Sequence, residues 1–426
     1  MARYMIGGLM TCGMVFVSGS AFAQTMGSST SIIISPQLER ADVAGARIEP
    51  AFRSEPARIG ILAVQPALSV IGGYSTNVFN RPGADSDATL LIMPAIQINA
   101  DFAPHRLDLV AQSTLRRFAT FKSEDSEEFD LTVDGALEVS STSRITATAD
   151  FANLIEPRSS VGTVADAAEP VSYRRRDATL GMDLEFGRLR VAPSANYQTL
   201  DYAPLSRTNG TPVEQSFRDT EATRATVRIS YDFSDMFAGF ASGSFSAIRS
   251  SSAPRDVRRD ARSTVAMVGL KGSLTPLLAG EIGVGYQSRS YELPIYRDFS
   301  GVTFAADLQW FVTPLMTLRL QANRSFQNSG FREVASILTD TATLTAYYDP
   351  LRNLRLSLSA SYENGRYREV DTKTRRQSAR LSAEYRMSPL LSIGGYFTLI
   401  HQNVDGTPLV GTFTSASAGI GLSVTP

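Results

Sequence analysis

Residues 354–362 read "LRLSLSASY", with Leu354, Leu356, Leu358, Ala360 and Tyr362 alternating with Arg355, Ser357, Ser359 and Ser361. A side-chain period of two is the mark of a β-strand whose two faces meet different surroundings. The same alternation runs through 224–233, 302–310, 316–323 and 378–386, and it is nearly continuous from about residue 60 to the end. No competing helical period is found. The chain is therefore all-β, and what remains to settle is which face of each strand meets water.

The punctuation between strands is regular. "LTPLL" (274–278), "VTPLM" (312–316), "DPLR" (349–352) and "SPLL" (388–391) place prolines at 276, 314, 350 and 389. Thr, Ser or Asp before Pro favours a tight reversal. Similar reversals fall at Ala103-Pro104, Ser141-Thr142, Gly187-Arg188 and Ser234-Asp235. Between these eight turns lie nine polar connections, near 80–86, 122–126, 157–170, 204–217, 251–256, 294–297, 328–333, 370–374 and 404–409. Eight turns and nine loops join eighteen strands, with both ends on the short-turn side; sixteen is the alternative count. One hairpin is the repeat.

Strand length decides the sidedness. Strands of water-soluble sandwiches average about five or six residues, whereas this repeat leaves about twenty per strand and connection, enough to cross a bilayer. The expected fold is thus a transmembrane antiparallel up-and-down β-barrel with short periplasmic turns and longer extracellular loops. Its apolar face meets lipid and its polar face a wet interior. Aromatic girdles are expected from Phe102, Phe186, Phe233, Trp310, Tyr348 and Tyr385 by the turns, and from Tyr74, Phe118, Tyr197, Tyr286 and Tyr362 nearer the loops.

The N-terminus agrees with an exported protein. "MARYMIGGLMTCGMVFVSGSAFAQ" has a basic residue, an apolar run and Ala-Phe-Ala at 21–23, so residues 1–23 are expected to be a cleaved signal peptide. Cys12, the one cysteine, leaves with it, and the mature chain has no thiolate metal site or disulfide. Residues 24–56 lack periodicity and form a periplasmic extension, followed by the barrel at 57–426. The expected location is the cell outer membrane. With 41 basic and 42 acidic residues, the chain has no charge excess to draw nucleic acid.

"QPALSVIGGYSTNVF" (65–79), with Pro66, Gly73-Tyr74 and Asn77-Val78, resembles the opening strand of the putative β-barrel porin 2 family of Gram-negative outer membranes. "LIMPAIQINADF", "RRRDATLGMDLEF" and the "SPLLSIGGYF" hairpin fit as well, and the resemblance covers roughly 60–426. It implies an outer-membrane channel, and members of the family often accompany genes for exported polysaccharides. The ending "GIGLSVTP" departs from the aromatic last residue by which the barrel assembly machinery reads many such chains.

Candidate chemistry is sparse. The two histidines, His105 and His401, are expected at opposite ends, so only His401 with Asp405 could make a dyad. "SEDSEEFD" (123–130) lacks the spacing of a calcium loop and is read as an extracellular loop facing lipopolysaccharide-bound cations. In "YRRRD" (173–177), parity puts Arg174 and Arg176 on one face and Arg175 on the other. Neither an enzyme nor a cofactor is expected. The pore-lining candidates are Asp108, Gln112, Arg116, Arg224, Arg228, Asp232, Asp307, Gln309, Arg319, Gln321, Arg355, Glu363, Arg380 and Glu384. They predict a hydrated mixed-charge channel supporting passage or export of polysaccharide. The alternatives are a general diffusion porin for small polar solutes and a non-conducting scaffold or receptor. Loops 157–170 and 204–217 and the tail 24–56 are the segments able to fold inward. Expected partners are outer-membrane lipid and lipopolysaccharide, the barrel assembly machinery and periplasmic polysaccharide-export proteins.

Overall fold

A computed structural model describes residues 44, 45, 47, 49–160, 166–250, 252–407 and 410–426. The expected signal peptide lies outside them. Eighteen long strands follow one another: β1 (Leu62–Ser75), β2 (Asp87–Phe102), β3 (His105–Phe118), β4 (Ser126–Ser140), β5 (Ser143–Ile155) and β6 (Ser172–Phe186). β7 (Leu189–Tyr202), β8 (Thr220–Asp232), β9 (Phe237–Arg249), β10 (Ala261–Thr275), β11 (Leu278–Tyr291) and β12 (Phe299–Thr313) continue the series. β13 (Met316–Asn328), β14 (Ser336–Leu351), β15 (Leu354–Tyr367), β16 (Thr372–Arg386), β17 (Leu391–Gly406) and β18 (Phe413–Val424) complete it. Each pairs antiparallel with its neighbour in sequence. β18 returns to β1 over Leu68↔Val424 to Ser75↔Ser417, which closes the barrel and leaves no free edge.

The alternation in the sequence becomes an inside and an outside. On β15, Leu358 and Tyr362 are exposed while Ser357, Ser359 and Ser361 face the other way. A closed barrel has only one face that can be rich in exposed large apolar side chains without a core to cover them, and that is the lipid face. Phe102, Phe186, Phe233, Trp310, Tyr348 and Tyr385 ring the turn end of this face, and Tyr74, Tyr197, Tyr286 and Tyr362 the loop end. Phe118 does not join them. On β3 the outward parity is that of the exposed Leu107, so Phe118 points inward and is 8% exposed.

The recurrent turn has a common mechanism. The Thr275 hydroxyl accepts from Leu277 N and Leu278 N at 3.2 and 2.9 Å. Thr313 does the same for Leu315 N, and Ser388 for Leu390 N and Leu391 N. A hydroxyl that satisfies the turn's free N–H groups fixes the reversal more firmly than proline alone. "DPLR" is different. β14 runs on to Leu351, which pairs with Leu354, so the reversal lies at Arg352-Asn353 rather than at Asp349-Pro350. The register shift between Tyr348 and Leu351 frees Asp349 to face the lumen instead of capping a turn.

Candidate channel lumen

All fourteen candidate lining residues lie on the inward parity of their strands. On β3, β8, β12, β13, β15 and β16 the exposed apolar side chains Leu107, Val227, Trp310, Leu320, Leu358 and Leu381 take the opposite parity. Most of the charges are paired across strands. Arg228 makes a two-pronged contact with Glu281, 2.8 Å on each arm, and its guanidinium lies 3.8 Å from the Phe240 ring centre. Arg319 grips Asp307 at 2.9 and 2.6 Å. Arg376 reaches Glu363 at 2.6 Å and Asn99 donates to Asp108 at 2.6 Å, while within β16 Arg386 reaches Glu384 at 3.1 Å. Arg380 instead donates to the Thr398 hydroxyl and covers the Tyr396 ring, and Arg224 donates to Ser246. Serines are joined in pairs, Ser357 with Ser382 and Ser361 with Ser378, at 2.6 and 2.7 Å. The wall is hydrophilic and close to electrically balanced.

"YRRRD" divides as its parity demands. Arg175 turns inward and bridges Asp150 and Asp130, while Arg176 meets Asp201 on the outer face. Glu281, Asp130, Asp150 and Arg175 are wall residues absent from the candidate set; alternation would have found each once the strand parity was fixed.

Both mouths are narrowed. At the turn end, Gly45 and Arg47 of the tail come up against β14 and β15. Gly45 N donates to Asp349 at 3.2 Å, Arg355 donates to Arg47 O at 2.8 Å, and Gly45 packs on Tyr347. The tail therefore does not simply hang in the periplasm. At the loop end, 157–160 turns inward, and Arg376 on the far side of the barrel donates to Ser159 O. Arg158 pairs with Glu124 at 2.5 Å, both nearly buried, so the acidic run turns inward at that point rather than facing surface cations. Its other members are also engaged: Asp125 accepts from Phe118 N, Glu128 from Ile155 N, and Glu127 pairs with Arg117.

The remaining loops interlock. Arg218 is 1% exposed and holds Glu156 with two bonds of 3.0 and 2.9 Å. Burial opposes its charge, but the Glu156 carboxylate outweighs that and raises the guanidinium pKa above the ordinary arginine value. Phe217 packs on Ala253 and Val257. Tyr296 donates to Val257 O at 3.1 Å, and Glu369 accepts from Arg297 N and Ala335 N, both at 3.3 Å. These contacts tie six successive loops into a lid.

The His401 ring bonds Thr414 at 2.8 Å while Asp405 is taken by Arg375, and His105 accepts from Glu138 N at the opposite end. Among the described residues no cluster of His, Cys, Asp or Glu has metal-binding geometry.

The chain is similar in structure to OpdO of Pseudomonas aeruginosa, at 14% identity and a TM-score of 0.44 over 85% of this chain and 97% of that one. It is similar to the siderophore receptor PirA of Acinetobacter baumannii at 6% and 0.46, over 85% and 80%. OccAB3 of the same species stands at 10% and 0.44, over 85% and 99%. At these values the likeness has no functional weight. None of the curated proteins compared with the chain matches it. The family model of the putative beta-barrel porin 2 matches residues 49–425, which takes in every strand of the closed barrel, and the chain belongs to that family of porin-like outer-membrane barrels.

Proposed function

We propose that the barrel is a gated outer-membrane channel for hydrated polar solutes, with exported polysaccharide as the cargo. The observation that carries this is the inward wall. Most of its charges are paired and its serines are joined in couples. A long hydrated polymer needs hydrogen-bonding partners all along its path and no deep pocket in which to stall. Arginines in balance with acids supply such a wall and tolerate acidic sugars. The docked tail occupies the turn end, where a periplasmic export protein would have to engage it. On the outer face, Arg117–Glu127, Arg176–Asp201 and Arg375–Asp405 form an exposed charged belt above the loop-end aromatics, at the height of lipopolysaccharide headgroups.

The interlocked loops favour a second reading, a barrel that does not conduct and serves as a receptor or scaffold. Planar-bilayer recordings separate the two. A gated channel gives small or rare openings that become large and frequent when 158–169 is replaced by a short Gly-Ser link. Silence from both forms supports the receptor. Export itself is tested by gene deletion: surface polysaccharide should fall or be retained in the periplasm. Unchanged polysaccharide with reduced uptake of small solutes replaces export by a diffusion porin.

A further inference from the structure

The lid encloses a cavity with a strongly cationic lining. Arg218 and Arg259 come from two different loops, Arg289 from β11, and Thr220, Tyr291 and Asn328 complete most of the wall. Its free space holds about one water-sized particle. Arg259 is 4% exposed and donates to Ser329 O at 2.7 Å and to Phe331 O. Among the described residues no carboxylate lies within ion-pair distance of it. The acids nearby are already engaged: Glu156 with Arg218, Asp260 with Arg258 and Ser250 N, and Glu369 with Arg297 N and Ala335 N. The Nε groups of Arg218 and Arg259 are buried and have no hydrogen-bond partner in the protein. Burial holds the Arg259 pKa down, and the charge of Arg218 acts in the same direction despite Tyr296.

A buried guanidinium with no counter-charge is costly, and a desolvated charge of this kind is normally paired. We infer that this cavity is a binding site for a small monovalent anion of halide size, and that the bound anion holds the loops closed over the mouth. The consequence follows from placement. The anion would join the loop before β8, the loop before β10 and the wall strand β11, so opening the lid would separate the three cations from it. An anion that binds the closed form alone stabilises that form by mass action. The inference goes beyond the channel reading, since a lid on a receptor would close in the same way.

The test uses the full chain refolded in detergent, with Cys12→Ser and Ala253→Cys. Ala253 lies in the lid against Phe217 and Val257, so thiol labelling there reports opening. Labelling in chloride should be slower than in methanesulfonate of equal ionic strength, by roughly tenfold when chloride is well above its dissociation constant. Arg289→Gln should abolish the difference between the two salts, and Arg289→Lys, which keeps the charge, should retain most of it. Crystals grown in bromide should show an anomalous peak inside the cavity. Equal labelling rates in the two salts, a salt difference that survives Arg289→Gln, or a cavity without bromide would each overturn the assignment. Conductance is measured separately, so a silent barrel that still shows the salt effect refutes the channel and leaves the anion site standing.

Discussion

A single residue in this barrel has one of two fates, set by its parity. Leu358 is 51% exposed and meets lipid, whereas Ser359 faces inward and shares a hydrogen bond with Thr345 at 3.2 Å. Leu358→Arg should therefore destabilise the barrel by about 2–4 kcal/mol, and Ser359→Arg by far less, as measured by urea unfolding in vesicles. Equal costs would mean that the two faces have been exchanged. The Arg228–Glu281 contact tests the wall. Glu281 is 3% exposed, so Glu281→Ala strands Arg228 and should cost roughly 2 kcal/mol, less than in a dry core because Arg228 retains some water. The double variant Arg228→Met, Glu281→Ala should recover much of that loss, since no charge is left alone. Both parity assignments could be read from the sequence. The partners could not, because Glu281 and Arg228 lie on strands that are not adjacent and are joined by inward reach rather than by register.

At the scale of an element, the turns and the tail show where local signals succeed and where they fail. Thr-Pro-Leu-Leu and its relatives close hairpins because a hydroxyl captures the turn's own N–H groups, a contact within four residues and so written in the sequence. Asp349-Pro350 carries the same signal but yields to the tail, which takes Asp349 as its dock. That contact joins residues 304 apart in sequence, and no local pattern can announce it. Gly45 has φ +89, and a Cβ added there would lie 2.6 Å from the Tyr347 ring. Gly45→Ala should thus undock the tail, making 44–56 cleave faster in limited proteolysis of the folded barrel. An unchanged cleavage rate would show that docking does not depend on this close approach.

For the whole molecule the prediction is sidedness. Nine loops fall at one end and eight turns with both termini of the barrel at the other. Asn209→Cys should react with an impermeant label on intact cells, and Asp235→Cys only after the outer membrane is opened. Labelling of both from outside would break the eighteen-strand register. The same count explains the lid: a barrel of this girth leaves an aqueous passage too wide for side chains to fill. Backbone from the loops is what spans it, as Ser159 does on reaching Arg376.

Period-two alternation by itself determined the strands, their faces, the number of crossings and the polar character of the wall, because each of these follows from neighbours along the chain. The inward aim of Phe118 was legible too, since it shares the parity of Asp108, Gln112 and Arg116, but the acidic run at 123–130, the lid and the arginine cavity were decided only by closure. Closing the sheet brings together residues that are far apart in sequence, such as Arg218 and Glu156 or Arg259 and Phe331. Loops carry no period from which to read such meetings. Their conformation is set by what the barrel places opposite them, and that exists only once β18 has paired with β1.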